Sequence, residues 1–269
     1  MNHLLRGLAP ISDAGWRVLD EEARVRLTSA LAARRLVDFY GPSGWDRSAT
    51  NLGRVVPLGR GPCDGVRAMQ RRVLPLVELR AEFELSLEEL RGVDRGAEDA
   101  DLQPLDEAAH RIAVGENVTV FHGFAEAAMA GIVDSSPHPP FALGDSADAF
   151  PVPVAGAVEH LLSSGVSGPY ALALGGEQYR RVAQTAEHGG YPLLEHLRRI
   201  LEGPIVWAPG LAGAVVVSLR GGDFLFDCGS DLSLGYLRHD AERVVLYIEE
   251  SFSFRVATPE AAVALTAQT

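Results

Sequence analysis

The sequence contains no lysine at all. Its positive charge comes from 24 arginines, scattered singly or in pairs along 269 residues, and 36 acidic residues outnumber them, so the formal net charge is -12. Proteins that bind nucleic acid neutralise its phosphates with clustered lysine and arginine. Because the sequence has no such cluster, we expect no nucleic-acid partner.

Cysteine and long apolar runs are also scarce. Only Cys63 and Cys228 are present, far apart and without the paired spacing of a zinc site or the number that a disulfide framework needs, so we interpret them as incidental. No apolar run approaches the roughly 20 residues that cross a bilayer. The first residues, Met1–Arg6, lack the apolar core of a signal peptide. We therefore expect a cytoplasmic protein that does not enter a membrane.

Hydrophobic residues make up 47% of the chain, which is enough for a packed core. Ser12 can cap an amphipathic helix that runs to about Ala33, because apolar residues recur there every three or four positions. The glycine-rich and proline-rich stretch 52–72 predicts a projecting loop of two extended strands. Residues 77–85 then alternate apolar and charged side chains without a break. This alternation predicts a strand with one face at a surface or against another subunit.

The rest of the chain mixes helical and strand patterns. Apolar spacing predicts a long helix over 104–124 and shorter helices over 150–165, 177–186 and 192–201, whereas 134–149 is rich in proline and small residues and is typical of a loop. Short apolar or alternating runs predict strands at 170–174, 205–207, 214–218, 223–227 and 243–249. The predicted fold class is mixed α+β.

Patterns that carry catalysis or metal binding are missing. The eight histidines lack the helical spacing of a metal site, and there is no Gly-x-Ser-x-Gly nucleophile turn. The glycines between Pro57 and Pro62 lack the lysine, the strand and the helix of a phosphate-binding loop. We therefore expect no catalytic residue, no metal and no enzymatic activity.

Two adjacent carboxylate pairs are candidates for acid-base chemistry, which needs two groups facing one ligand in different environments. Glu21 and Glu22 fall on the first predicted helix as a solvated face. Glu249 and Glu250 fall in a predicted strand, where alternation lets only one of them point inward. We hypothesise that Glu250 pairs with an arginine across a subunit boundary.

Several separated motifs resemble those of the encapsulin shell proteins. They are Leu8-Ala9-Pro10, Gly41-Pro42-Ser43-Gly44-Trp45, Leu74-Pro75-Leu76-Val77-Glu78-Leu79-Arg80, Gly165-Val166-Ser167-Gly168-Pro169-Tyr170, Ser218-Leu219-Arg220-Gly221-Gly222-Asp223-Phe224, Asp231-Leu232-Ser233-Leu234-Gly235-Tyr236 and Glu250-Ser251-Phe252-Ser253-Phe254-Arg255-Val256. The likeness runs from Leu4 to Val256, so chance agreement does not explain it.

This resemblance implies the fold of tailed-phage major capsid proteins of the Hong Kong-97 type. By that analogy, residues 1–40 form an amino-terminal arm and helix, 41–73 the extended loop, 74–149 a peripheral domain with its spine helix, 150–212 an axial domain, and 213–269 a return to the peripheral domain. Members of the family close into icosahedral shells around a cargo enzyme. The resemblance therefore implies a homo-oligomer of on the order of sixty copies or a multiple.

In the family, a carboxy-terminal peptide of the cargo docks in a groove on the inner wall of the shell. The resemblance places this groove at Leu31, Arg34, Leu36, Asp38, Asp231, Leu232, Leu234 and Tyr236. The expected apolar pockets are formed by Leu31, Leu36, Leu234 and Tyr236, and the expected anchors of the peptide's backbone and charge are Arg34, Asp38 and Asp231. For each leucine, the alternative is an ordinary place in the core.

Two further expectations come from the resemblance. The turn formed by Glu187, His188, Gly189 and Gly190 is expected to line the pore at the five-fold axis, where His188 would make passage sensitive to pH. Some relatives bind a flavin through an aromatic residue in the strand region that corresponds to Leu87-Glu88-Glu89. This chain has no aromatic residue there, so no flavin or other cofactor is expected.

The resemblance implies a non-enzymatic shell around a dye-decolourising peroxidase or a ferritin-like iron-oxidising protein, the usual cargoes of the family. Two alternatives stay open. The first is an antibacterial or proteolytic protein, a label that some relatives have carried, which would need a catalytic constellation. The second is a true phage capsid protein, which would need a scaffold segment and a more basic inner face.

Overall fold

The computed structural model describes residues 3–144, 149–185 and 192–267. Its helices are α1 (Asp13–Ala30), α2 (Leu87–Asp94), α3 (Gln103–His122), α4 (Ile132–Ser135), α5 (Pro151–Ser163), α6 (Gly176–Gln184) and α7 (Leu193–Leu201). Its strands are β1 (Asp38–Tyr40), β2 (Ala49–Leu58), β3 (Ala68–Pro75), β4 (Val77–Ser86), β5 (Gly123–Phe124), β6 (Met129–Ala130), β7 (Phe141–Leu143), β8 (Tyr170–Leu174), β9 (Ile205–Trp207), β10 (Ala214–Ser218), β11 (Phe224–Cys228), β12 (Ser233–His239), β13 (Arg243–Val256) and β14 (Ala262–Ala267). This mixture confirms the predicted α+β class.

The strands form two five-stranded sheets and two hairpins. In the first sheet the order is β1-β11-β13-β12, and β4 pairs with β13 along the edge opposite β12. In the second sheet the order is β7-β14-β10-β8-β9. The long hairpin joins β2 to β3, and a short one joins β5 to β6. Within the described ranges, no helix is long and apolar enough to span a bilayer.

Helix α1 begins where the sequence predicts and ends three residues earlier. The Ser12 hydroxyl accepts a hydrogen bond from the Gly15 amide at 3.0 Å, which caps the amino end. At the other end, the buried side chain of Asn117 on α3 accepts from the Ala33 amide at 3.0 Å and donates to the Ala30 carbonyl at 2.8 Å. Because Asn117 takes groups that a further turn would have used, the helix stops at Ala30.

Helix α3 is the continuous helix that the sequence predicts, in spite of its weak middle around Gly115. Its amino-terminal half contributes Leu105 and Ile112 to a hydrophobic cluster with α1, α2 and the first sheet. Its carboxy-terminal half contributes Val120 and Phe121 to a second, larger cluster that includes the second sheet. The helix therefore connects both parts of the core.

The predicted projecting loop and the predicted alternating strand are both confirmed. In the hairpin formed by β2 and β3, Ala49 lies opposite Pro75 at one end, and Leu58 lies opposite Ala68 at the other. Exposed positions alternate along β4 with half-buried ones and, at Phe83 and Leu85, with buried ones. Cys63 is exposed in the connection between β2 and β3, and Cys228 is buried at the end of β11.

Three predicted elements differ from the structure. The predicted loop 134–149 contains β7, which pairs with β14, and both strands are too short or too rich in small residues to show a clear period. The strand predicted at 243–249 runs on to Val256, because its continuation pairs with β11. The region of Leu87 is helical rather than a strand, since the Ser86 hydroxyl accepts from the Glu88 amide and caps α2.

The predicted domain boundary between residues 212 and 213 divides the second sheet. Strands β8 and β9 precede residue 212, whereas β10 and β14 follow it and pair into the same sheet. The division into peripheral and axial parts at 212 and 213 stays a prediction. The turn Glu187 to Gly190, predicted as a pore rim, lies outside the described residues.

Candidate functional site

A groove of about 400 Å³ lies between α1 and β12. Its lining residues come from the arm, from α1 and the turn after it, and from the first sheet and the segment that leads into it: Leu4, Arg6, Asp20, Ala23, Arg24, Leu27, Thr28, Leu31, Arg34, Asp231, Leu232, Ser233, Leu234 and Ile248. Leu4 and Arg6 lie toward the amino end of α1, and Arg34 and Asp231 lie beyond its carboxy end. The groove therefore runs along the helix.

Five of the eight residues predicted for cargo docking line this groove. They are Leu31, Arg34, Asp231, Leu232 and Leu234. Leu234 is buried and belongs to the core cluster beneath, whereas Leu31 and Leu232 are half-buried and pack against that cluster from outside. Both interpretations of the leucines thus apply: Leu234 is a core residue at the groove, and Leu31 and Leu232 have surface left for a ligand.

The other three predicted residues do not line this groove. Leu36 is buried and, with Asp38, lines a separate cavity of about 230 Å³ beside β11. The cause is a 3-10 turn at Ala33–Arg35, after which β1 pairs with β11 and the Asp38 carboxylate accepts from the Gly222 amide at 2.6 Å.

Tyr236 lies on β12 beyond the residues that line the groove. Its hydroxyl is 2.6 Å from Nδ1 of His239, so the ring's polar end is already engaged. Its backbone amide donates to the Leu4 carbonyl at 2.8 Å. Tyr236 therefore contacts the arm that ends the groove rather than forming one of its pockets.

The arm is fixed by several contacts that are far apart in sequence. The His3 ring stacks on Trp45 with 4.6 Å between ring centroids, and His3 Nε2 lies 3.0 Å from Glu249 Oε1. The Arg6 guanidinium lies 4.0 Å from the Trp16 ring centroid and donates to Asp20 at 2.7 Å. These contacts hold Leu4 at the end of the groove.

Arg34 is the centre of a charged cluster under the groove. Its Nε donates to Glu116 at 2.6 Å, and its two terminal nitrogens donate to Asp231 at 2.6 Å and to Glu250 at 2.8 Å. Glu116 and Glu250 are fully buried, whereas 45% of the Asp231 side chain is exposed. Each of its three nitrogens donates one of these bonds, so Arg34 holds the three carboxylates in place beneath the groove.

The hypotheses about Glu249 and Glu250 need correction. Glu250 pairs with Arg34 of the same chain, and no second subunit is needed for this ion pair. Both glutamates are buried, because Glu249 is covered as well, by Arg80 at 2.7 Å and by His3. The expectation that only one of them points inward is wrong, since β13 is covered on both of its faces.

Burial governs the ionisation of the cluster. It raises the pKa of Glu250 well above its usual value, and the neighbouring Glu116 carboxylate adds to this rise while Arg34 opposes it. Burial also raises the pKa of Glu116. Burial alone would lower the pKa of Arg34, but Glu116 and Glu250 outweigh it and raise that pKa.

The two buried glutamates lie close enough to share a proton. Each leaves its Oε1 atom buried without a donor among the described residues. A proton on the Glu250 carboxyl would supply a hydrogen bond to Glu116, and the interaction between these two side chains is one cause of the raised pKa of Glu250. Such sharing is the expected outcome when two adjacent carboxylates have a single cation.

Sequence reasoning missed Glu116 and Asn117, although the sequence carries a signal for them. Ala113 and Val120 lie on the apolar stripe of α3, and positions 116 and 117 fall on the same stripe at helical spacing. Two adjacent polar residues on a buried stripe need partners. The structure gives them Arg34 and the end of α1, so these residues shape the carboxy-terminal end of the groove.

A family model described as "Encapsulating protein for peroxidase" matches residues 1–253. The type 1 encapsulin shell protein of Rhodospirillum rubrum is 48% identical over 98% of this chain and 96% of its own length. The chain belongs to the encapsulin family. The encapsulin shell protein of Rhodococcus erythropolis is 43% identical over 98% of this chain and its own full length (100%).

Solved structures with similar folds are capsids and capsid-like particles. A virus-like particle protein from Pyrococcus furiosus matches with a TM-score of 0.66 and 17% identity, over 92% of this chain and 98% of the other. A protein of Microbacterium phage Oxtober96 matches with a TM-score of 0.56 and 11% identity, over 89% and 92% of the two chains. The encapsulin therefore has the Hong Kong-97-type capsid fold, as the sequence predicts.

Proposed function

We propose that this encapsulin assembles into a closed icosahedral shell and encloses a cargo enzyme, whose carboxy-terminal peptide binds in the groove between α1 and β12. The shell protein itself performs no catalysis. The observation that carries the proposal is 48% identity over nearly the whole chain with a protein described as an encapsulin shell protein. The capsid fold supports it independently.

Exposed apolar side chains support assembly. Val55 and Met69 of the hairpin β2-β3 are each 52% exposed. The hairpin projects as two strands that pair only with each other in the described part of the chain. Projecting strands with apolar side chains are poorly suited to a monomer and are covered when subunits associate.

The groove suits an extended peptide. Its volume lies within the range of ordinary ligand sites. Leu27, Leu31 and Leu232 offer apolar contact along its length, and the half-exposed Asp231 carboxylate lies at one end. We propose that the leucines bind apolar side chains of the peptide and that Asp231, held by Arg34, accepts a hydrogen bond from it.

For the cargo, we propose a dye-decolourising peroxidase or a ferritin-like protein. The description of the matching family model names a peroxidase, which favours the first of these. A pore rim at residues 187–190 that responds to pH through His188 stays part of the proposal.

The groove is tested by changing Leu31, the residue that directly follows α1. We expect Leu31→Asp to leave shell assembly intact and to abolish cargo loading, because the new carboxylate lies among the apolar side chains of the groove. The matched control is Val25→Asp, which changes an exposed residue of α1 that does not line the groove. Cargo loading is measured by denaturing gel electrophoresis of purified particles, with the cargo co-expressed.

Shell formation is tested by size-exclusion chromatography and negative-stain microscopy of the protein expressed alone. Uniform hollow particles are expected, and a sample that stays monomeric would contradict the assembly proposal. Equal cargo content in the Leu31→Asp, Val25→Asp and unchanged particles would contradict the groove.

A further inference from the structure

Strand β12 has one edge that no other described strand occupies. It pairs only with β13, which lies along its other edge. The unoccupied edge lies at the groove, whose lining includes Leu232, Ser233 and Leu234. An unpaired strand edge presents a row of backbone donors and acceptors.

The chain itself shows that this edge can form backbone hydrogen bonds. The Tyr236 amide donates to the Leu4 carbonyl of the arm at 2.8 Å. The Tyr236 amide therefore points away from β13. In an antiparallel pair, residues alternate between those that bond the partner strand and those that point to the other side.

This alternation fixes the direction of the neighbouring backbone groups. Tyr236 pairs with Leu246 and Leu234 pairs with Ile248, in unbroken register. Leu234, two residues before Tyr236, therefore directs its amide and its carbonyl to the same open edge. Leu4 occupies one position of that edge, and the positions around Leu234 face the groove.

We propose that the docked peptide adds a strand to the first sheet at the open edge of β12, and that the arm at Leu4 marks the end of the added strand. The proposal rests on the function proposed above and specifies how the peptide binds. Strand addition draws its affinity from main-chain hydrogen bonds and its specificity from side chains at alternate positions.

The chemistry of the occupant follows from the walls of the groove. Every second side chain of the added strand would face the same side as Leu234, toward Leu27 on α1 and Leu31 directly after it. The remaining side chains would face away from that cluster. The partner is therefore an extended peptide with apolar residues at alternate positions, and the residues between them can be of any type.

The test separates backbone bonds from side-chain contacts. The probe is a fluorescent protein that carries the carboxy-terminal peptide of the cargo that co-purifies with the shell. Each residue of the peptide is changed in turn to proline, which removes one backbone donor, and in a parallel set to alanine, which keeps the donor. Loading per particle is measured after co-expression with the unchanged shell protein.

We expect proline to reduce loading about two- to tenfold at every second position, including positions where alanine has no effect. Losses that follow the same positions in both sets would overturn strand addition, because side chains alone would then account for binding. A reporter that is not loaded even with the unchanged peptide would overturn the proposed function itself.

Hydrogen exchange of the shell protein gives a second measurement. Exchange in the segment 233–236 is expected to be slower in cargo-loaded particles than in empty ones, because the Leu234 amide gains a partner. Equal exchange in loaded and empty particles would contradict the added strand even if the peptide occupies the groove.

Discussion

Arg34→Met is predicted to be among the most damaging single changes in this chain. Methionine fills much of the space of the arginine stem but carries no charge, so Glu116 and Glu250 lose a cation that contacts both of them. Removing one partner of a buried ion pair costs about 3–5 kcal/mol of unfolding free energy. Domains are stable by only about 5–15 kcal/mol in total.

The loss depends on pH, because the stranded carboxyls can take up protons. Burial already raises the pKa of both glutamates, so neither needs to be charged at low pH. We expect Arg34→Met to approach the stability of the unchanged protein at acid pH and to fall further behind as the pH rises. A variant that also carries Glu250→Gln, which removes one of the stranded charges, should recover part of the loss.

The assay is denaturant unfolding at one fixed protein concentration, repeated over a pH series. Arg24→Met is the matched control, since Arg24 forms an exposed pair with Glu21 on the same helix. The control should behave as the unchanged protein does. An Arg34→Met variant as stable as this control at neutral pH would refute the view that Arg34 holds the buried carboxylates.

Three further predictions follow from the same residues. Glu250→Gln alone should flatten the pH dependence of stability. The pKa of Glu250 is raised in the folded protein. Its contribution to stability is therefore complete below the pKa of the unfolded state, about 4.3, and is lost as the pH rises toward the folded pKa. Unchanged slopes in a thermal-shift pH series would contradict this. Asn117→Ala should lower the free energy of unfolding by about 1–3 kcal/mol, because backbone groups at the end of α1 lose a buried partner. Chemical denaturation measures this loss. A loss smaller than the error of the method would contradict the role of Asn117. Asp231→Asn should keep particles intact while weakening cargo loading, and unchanged loading would contradict the role of the Asp231 carboxylate.

Patterns local to the sequence predicted most of the fold. The alternation along Val77–Ser86 and the apolar spacing along Gln103–His122 each depend on neighbours within one element, and the structure confirms both. The elements that were missed, such as Phe141–Leu143 and Ala262–Ala267, are short strands that exist because they pair with distant partners. The sequence of one short segment does not indicate which distant strand it will pair with.

The candidate site was predictable in part for the same reason. Leu31 and Leu234 come together because α1 and β12 border one groove, and the family resemblance pointed to both. Leu36 and Asp38 leave the groove because the chain turns after α1, where the Asn117 side chain of another helix replaces the next turn. The partner of Glu250, Arg34, likewise lies 216 positions away in the sequence.

The two cysteines differ in a way that makes the hairpin easy to observe. Burial raises the pKa of the Cys228 thiol to about 12, and the thiolate is the form that reacts with alkylating reagents. Cys63 is exposed at the turn of the hairpin. A maleimide dye should therefore attach once per polypeptide, at Cys63. Its emission should change when the tip of the hairpin leaves solvent and contacts a neighbouring subunit.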